Sequence, residues 1–228
     1  MSFTAVLLDL DGTLVNTIAD LTDALNATLA ELGRDLLSED TTASLVGKGT
    51  RALVLRALAI QDSEPDDNLL DQALASFREH YRHVSGTRAT LYPGVTDGLD
   101  AFRQMGLKLA VVTNKPTEFT LPLLASSGLA PYFDVVVCGD TCAESKPHPM
   151  PLLHACAQLD IAPQQAVMIG DSIYDAQAAR AAGITALAVP YGYNEGKGVQ
   201  NLEVDDIVLS IDAAAHWVST RGTSQVPG

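Results

Sequence analysis

The sequence predicts a three-layer α/β protein: a parallel sheet covered by helices on both faces, with a small helical domain inserted after the first strand. Three observations predict it. Short, nearly continuous runs of Val, Leu, Ile and Ala recur along the chain, as in strands buried on both faces of a parallel sheet. From Val95 onward, amphipathic stretches separate these runs, which is the rhythm of βαβ units joined by right-handed crossovers. Between about residues 16 and 85 the rhythm breaks, and helical periodicity continues without a convincing strand.

In order, strands are expected at Thr4–Leu8, Leu107–Val112, Phe133–Cys138, Ala166–Ile169 and Thr185–Val189, with Ile207–Leu209 as a short sixth. Core helices are expected at Val95–Met105, between the turn signals Pro93-Gly94 and Gly106, and at Glu118–Ser127, ended by Gly128. Two more follow at Pro149–Leu159 and Tyr174–Ala182, the latter closed by Gly183. In the insertion, the helix candidates are Ile18–Leu32, Thr50–Ala59 and Leu69–His83, separated by Gly47-Lys48-Gly49 and the acidic stretch Asp62–Asp67. The expected division is therefore a core of residues 1–15 and 86–218 and a helical cap of residues 16–85. The crossings at Val15–Thr17 and Ser85–Leu91 are short enough to serve as hinges. Residues 219–228, polar and without periodicity, are expected to form a disordered tail.

Composition narrows the function classes. With 228 residues, 47% of them hydrophobic, the chain can bury a sizeable core. No apolar run approaches the ~20 residues of a membrane span. The opening MSFTAVLLDLDGT lacks the basic region and cleavage site of a signal peptide, so a cytoplasmic protein is expected. The three cysteines, Cys138, Cys142 and Cys156, are too few and too irregular for a disulfide framework. A net charge of −14 argues against nucleic acid and anionic membranes as partners. Any anion site must then be made locally positive by a metal, a lysine or backbone N–H groups.

Four strand ends carry candidate chemistry. Asp9-Leu10-Asp11-Gly12-Thr13 follows the first apolar run, where open α/β sheets bind ligands. Two carboxylates there repel each other, and a divalent cation would relieve that; an ordinary strand ending in an Asp-Gly turn is the structural alternative. Gly170-Asp171-Ser172-Ile173-Tyr174-Asp175 follows another apolar run and opens a helix, with Asp175 one turn beyond Asp171. Helix N-capping by Asp171 or Ser172 would account for one acid, not for both acidic pairs. Thr113-Asn114 offers phosphate donors after a third strand, though it is also ordinary turn chemistry. Lys146 precedes Pro147 and so lies in extended chain, either as a neutralising cation or as a solvated surface lysine. All four sets would converge on one sheet edge, and together they meet the needs of phosphoryl transfer.

At this point the chain resembles the haloacid dehalogenase superfamily of phosphotransferases, on DLDGTL, VVTNK, SKPHP and GDSIYD in that order, from Ala5 to about Tyr193. The resemblance implies a Rossmann-like core, with the insertion as the family's helical cap. Within the family the likeness is to bacterial phosphoglycolate phosphatases, on VGKGTRALVLRAL, YPGV and VPYGYNEG. It implies Asp9 as nucleophile and Mg2+ ligand. It implies Asp11 as general acid and base, with its carbonyl on the metal. Thr113 and Asn114 would bind the transferring phosphoryl, and Lys146 would orient Asp9. Asp171 would ligate Mg2+ directly, with Asp175 behind it through water or Lys146. Gly47, Lys48, Gly49 and Arg51 would face the site from the cap. Asn16-Thr17 stands where the family often has Asp-Ser, a departure read as lying outside the chemistry.

The expected substrate is a small phosphorylated metabolite enclosed by the cap, with 2-phosphoglycolate first. Its carboxylate would meet Lys48, Arg51 or the N–H groups of residues 47–49, unless those charges merely begin a helix. A small phosphosugar such as an amino-sugar 6-phosphate fits the same residues. So does a phosphomutase of the β-phosphoglucomutase kind. A monomer or homodimer is expected.

Overall fold

The computed structural model describes residues 3–61, 65–196 and 198–222. Its main sheet is six-stranded and parallel, in the order β5-β4-β1-β6-β7-β8. These strands are β1 (Ala5–Leu8), β4 (Lys108–Val112), β5 (Val135–Val137), β6 (Ala166–Gly170), β7 (Thr185–Ala188) and β8 (Asp206–Ile207). The strands lie within a residue or two of their expected positions. The edge strand β8 begins one residue early and stops before Val208.

Side chains alternate across the sheet with the period of two that extended chain imposes. Val6, Leu8, Leu109, Val111, Val167 and Ile169 face one side, against α5 (Val95–Gln104) and α9 (Ile211–Gly222). Ala5, Leu7, Ala110, Val112, Ala166 and Met168 face the other, against α7 (Met150–Gln158) and α8 (Ile173–Ala182). The second face is lined by smaller side chains, and the helices there are correspondingly alanine-rich. α9 runs through Gly222, so residues 219–222 of the expected tail are helical, and residues 223–228 lie outside the described residues.

The insertion is α1 (Ile18–Glu31), α2 (Glu39–Leu45), α3 (Gly49–Ala59) and α4 (Asp67–Val84). α1, α3 and α4 enclose a separate apolar cluster that includes Leu25, Leu29, Leu58, Leu70 and Phe77. Phe119 of α6 (Thr117–Ser126) joins that cluster from the core, its ring 4.8 Å from Tyr81 of α4 and edge-on to it. Neither α2 nor a two-stranded antiparallel ribbon, β2 (Val15–Asn16) with β3 (Thr90–Leu91), is among the expected elements. In that ribbon the two crossings pair with each other, Val15 opposite Leu91 and Asn16 opposite Thr90. Asp20, fully buried on α1, secures the returning crossing by accepting from the N–H groups of Gly86 (2.7 Å) and Arg88 (2.8 Å).

β1 is the central strand. β4 and β5 extend the sheet on one side of it and β6 to β8 on the other, so the topological switch lies at its C-terminal end. Asp9 is the next residue.

Candidate active site

Asp9 continues β1, and its N–H donates to Ile169 O on β6, which fixes the carboxyl at the sheet edge. Lys146 reaches it from the loop after β5. The Lys146 Nζ lies 2.9 Å from Asp9 Oδ1 and 2.6 Å from Asp175 Oδ1, and it donates to Val112 O at 2.7 Å. Two ammonium donors are thus placed on Asp175 and Val112 O, Asp9 Oδ1 stands beside the ammonium as an ion-pair partner with no hydrogen bond of its own, and the side chain is only 2% exposed, so Lys146 is no surface lysine.

Asp171 and Asp175 enter from the β6–α8 turn. Asp171 Oδ1 accepts from Thr13 Oγ1 (3.0 Å) and its Oδ2 from the Tyr193 N–H (2.6 Å). Asp175 Oδ2 accepts from the N–H and the hydroxyl of Ser172, at 3.1 and 2.6 Å, while Ser172 serves as N-cap of α8. Asp175 therefore both closes the helix start and belongs to the site. Gly12 makes the close approach possible: it sits at φ +86°, and a Cβ there would lie 2.4 Å from Asp171 Oδ2.

Carboxylate oxygens of Asp9, Asp171 and Asp175 lie within 4.8 Å of one another, the one such metal-competent group among the described residues. Burial pushes the Asp9 carboxyl up to about 7, with Lys146 opposing and Asp175 adding to the rise. Burial also holds Asp171 well above the usual carboxylate range, with Asp9 and Asp175 reinforcing it. Burial works against the Lys146 charge, but Asp175 and Asp9 outweigh it and hold the ammonium above the usual lysine range. Three buried carboxylates thus face one ammonium. A divalent cation bound by oxygen ligands fits that imbalance and that donor set. Both oxygens of Asp171 and both of Asp175 already accept hydrogen bonds from the protein, and Asp175 Oδ1 is tied to the Lys146 ammonium at 2.6 Å, so Asp175 steadies Lys146 beside the other two acids.

Asp11 points elsewhere. Its carboxylate accepts from Lys115 Nζ at 3.0 and 3.1 Å and from Thr17 Oγ1 at 2.8 Å, outside the acidic cluster. Lys115 also donates to the Tyr81 hydroxyl at 2.7 Å, joining core to cap. Burial works against the Lys115 charge, and Asp11 and Tyr81 outweigh it.

A cavity of about 50 Å³ lies over Asp9 and Asp11, lined on the core side by Thr113, Asn114 and Lys115. Tyr81, Gly47, Gly49 and Thr50 line it from the cap, with an apolar wall of Leu21, Val46 and Leu53. The expected site residues divide accordingly. Asp9, Asp11, Thr113, Asn114, Gly47 and Gly49 border the cavity, with Asp171, Asp175 and Lys146 outside its lining.

Two expectations are corrected. Lys48 and Arg51 do not border the cavity; both are exposed, and Arg51 reaches only the solvent-facing Asp67 at 3.9 Å. Helical geometry turns them outward from the glycine loop, whose backbone faces in. The Asn114 carboxamide is already committed: Nδ2 donates to Gly47 O (3.0 Å) and Lys146 O (2.9 Å), and Oδ1 accepts from the Lys146 N–H (2.9 Å). It clamps the cap loop to the lysine loop at the edge of the cavity. Thr17 is not outside the chemistry, since it holds Asp11.

Sequence reasoning missed Lys115, Tyr81, Thr17 and Tyr193. The motif VVTNK contained the first and VPYGYNEG the last. The Tyr193 hydroxyl accepts from the Thr17 N–H (2.7 Å) and donates to Asn16 Oδ1 (3.0 Å). The cysteines are free, and neither they nor His80 and His83 form a metal cluster among the described residues. His80 pairs with Glu31 (2.9 Å) and His83 with Glu79 (3.1 Å) on the cap surface.

A parallel sheet with acids at its switch point and a helical cap over them defines a class. The family model of haloacid dehalogenase-like hydrolases matches residues 6–189, and the chain belongs to that family. Its likeness within the family is to phosphoric monoester hydrolases. A phosphoglycolate phosphatase of Nitrosospira multiformis is 49% identical over 94% of this chain and 95% of its own. One of Thiobacillus denitrificans is 46% identical over the same shares. The crystal structure of a predicted phosphoglycolate phosphatase from Haemophilus somnus superposes with a TM-score of 0.89 at 30% identity, covering 95% of this chain and 98% of that one. The chain is thus an enzyme, a hydrolase. Among the described residues no helix is long and apolar enough to cross a membrane.

Proposed function

We propose that the chain is a Mg2+-dependent phosphomonoester hydrolase working through an aspartyl-phosphate on Asp9, with 2-phosphoglycolate as substrate. The observation that carries the reading is the placement of Asp9 beside Lys146, Asp171 and Asp175, opening onto a small cavity that Asp11 also borders. The names of the relatives support the substrate.

In this reading an Asp9 carboxylate oxygen attacks phosphorus, and the P–O bond to the ester oxygen breaks. Asp11 delivers a proton to the departing alkoxide, giving glycolate. Asp11 then takes a proton from the water that attacks the aspartyl-phosphate, releasing inorganic phosphate and restoring Asp9. Lys146 keeps Asp9 aligned and offsets its charge, and Thr113 presents a hydroxyl to the phosphoryl oxygens. Mg2+, held by Asp9, the Asp11 carbonyl and Asp171, with Asp175 behind them, would supply charge neutralisation at the phosphoryl group. Residues 1–15 and 86–218 act as the catalytic body and residues 16–85 as the cap that excludes water.

The polarity of the cavity favours this substrate over a phosphosugar. Its cap wall is largely apolar and offers Thr50 and Tyr81 as hydroxyl partners, few for a ring with several hydroxyls of its own. The free cysteines accord with a cytoplasmic setting. The test is phosphate release from 2-phosphoglycolate beside a panel of sugar phosphates, with Mg2+ and with chelator. Release that needs Mg2+ and is confined to phosphoglycolate is expected. Isomerised sugar phosphate without inorganic phosphate would replace the reading with a mutase.

A further inference from the structure

We propose that Lys115 and Tyr81 together form a carboxylate subsite that makes the enzyme selective for short 2-phospho acids. This rests on the reading that the site hydrolyses a phosphate monoester.

Lys115 is the single cation among the residues lining the cavity. Lys48 and Arg51, which the sequence offered for this task, face solvent. The Lys115 side chain is only 4% exposed, and its Nζ lies 3.0 and 3.1 Å from the two Asp11 oxygens and 2.7 Å from the Tyr81 hydroxyl. The same ammonium lies 4.7 Å from the centroid of the Tyr81 ring, on its hydroxyl side. A chain that places a buried lysine on both a core acid and a cap tyrosine has a fixed, desolvated positive charge at the seam that closes over substrate.

The distances set the length of ligand. Asp11 meets the ester oxygen of a bound phosphate ester at hydrogen-bond range, about 2.8 Å. The Lys115 ammonium lies one further hydrogen bond beyond Asp11. In a 2-phospho acid a single carbon joins the ester oxygen to the carboxyl carbon. Bonds of ~1.5 Å then leave a carboxylate oxygen roughly 3 Å from the ester oxygen. A carboxylate so placed meets Lys115, which can share its three donors between it and Asp11, and the Tyr81 hydroxyl, which can donate as well as accept. An anionic group several carbons further out would overshoot the ammonium and meet the apolar wall of Leu21, Val46 and Leu53. Tyr81 comes from α4 of the cap, so the subsite is complete only when cap and core are together.

The test compares kcat/KM for 2-phosphoglycolate with that for ethyl phosphate, which is of similar length and has no carboxylate. It uses the wild-type enzyme, Lys115→Met and Tyr81→Phe at saturating Mg2+. The wild type is expected to prefer phosphoglycolate. The ratio of the two kcat/KM values should fall at least ~10-fold in Lys115→Met, chiefly through KM for phosphoglycolate, and by a smaller factor in Tyr81→Phe. Equal losses on both esters, with the ratio unchanged, would show that Lys115 acts only through Asp11 and would overturn the proposal while leaving the phosphatase reading intact. Phosphate release from neither ester by the wild type would overturn both. If Lys115→Met does not fold, Tyr81→Phe carries the test, because it keeps the ring packing: a lowered ratio supports the subsite and an unchanged one overturns it.

Discussion

A methyl group on Gly12 would stand 2.4 Å from Asp171 Oδ2, closer than any carbon and oxygen can pack. The nucleophile loop and the β6–α8 turn are therefore fitted together through the missing side chain. Gly12→Ala adds the strain of φ +86° on a residue with a Cβ. The expected result is a lower melting temperature together with a weaker affinity for Mg2+, measured by calorimetric titration. An alanine variant with wild-type metal affinity would mean that the loop has room to yield.

Asp9→Asn should abolish turnover, and Asp11→Asn should slow it by at least about 10²-fold. Both changes keep the side-chain volume, so circular dichroism should show an unaltered fold. Rapid quenching with labelled substrate should trap label on the protein in the wild type and none in Asp9→Asn. Near-normal phosphate release from purified Asp9→Asn would exclude the aspartyl-phosphate.

The pH dependence of stability follows from the acids. Burial raises Asp9 from its ordinary value of 3.8 to about 7, and Asp171 shifts in the same direction. Between these values the folded state holds a proton that the unfolded state has lost. With chelator present, stability is therefore fullest below about pH 4 with respect to Asp9, and it falls as pH rises toward 7. Added Mg2+ should flatten or reverse that slope, since the cation favours the charged carboxylates. Melting curves across pH with and without metal give the comparison; identical slopes would argue against Asp9 as a ligand.

Lys146→Met removes the single ammonium that faces Asp9 and Asp175. Breaking a buried pair in this way costs about 3–5 kcal/mol. Urea denaturation with chelator should show that loss, and Mg2+ should recover part of it. Loss of activity without any change in the urea midpoint would assign Lys146 to chemistry alone.

Asp20→Ala leaves the Gly86 and Arg88 N–H groups without their charged acceptor, and a cost of about 1–3 kcal/mol is expected. Its larger effect should be on closure, so KM and kcat should change together even though Asp20 is remote from the acids. Unchanged kinetics in a destabilised variant would confine Asp20 to holding the fold.

Asp9, Asp171 and Asp175 were legible because they come just after strands, and Lys146 because the proline that follows it holds its backbone extended. Residue type plus strand end is enough to place a side chain on the sheet edge. Lys48 and Arg51 failed on direction: glycines beside charges mark an anion loop, yet the pattern does not say which way the charges turn. Lys115 was passed over because Thr113-Asn114 already satisfied the expected phosphate chemistry, and its partner Tyr81 lies 34 residues away in sequence. α2 buries only Thr42 of its seven residues and so carries no periodicity. β2 and β3 are two residues each, too short for any alternation to show.

The pairing of β2 with β3 changes what kind of joint links the two bodies. Two separate tethers would leave the cap free to swivel and to slide. Stitched together at Val15–Leu91 and Asn16–Thr90, they form one strap in place of two independent tethers. The strap is also wired to the frame. Asn16 and Thr17 hold the Tyr193 hydroxyl, Tyr193 holds Asp171 through its N–H, and Thr17 holds Asp11. Any shift of the strap is therefore felt at both Asp11 and Asp171.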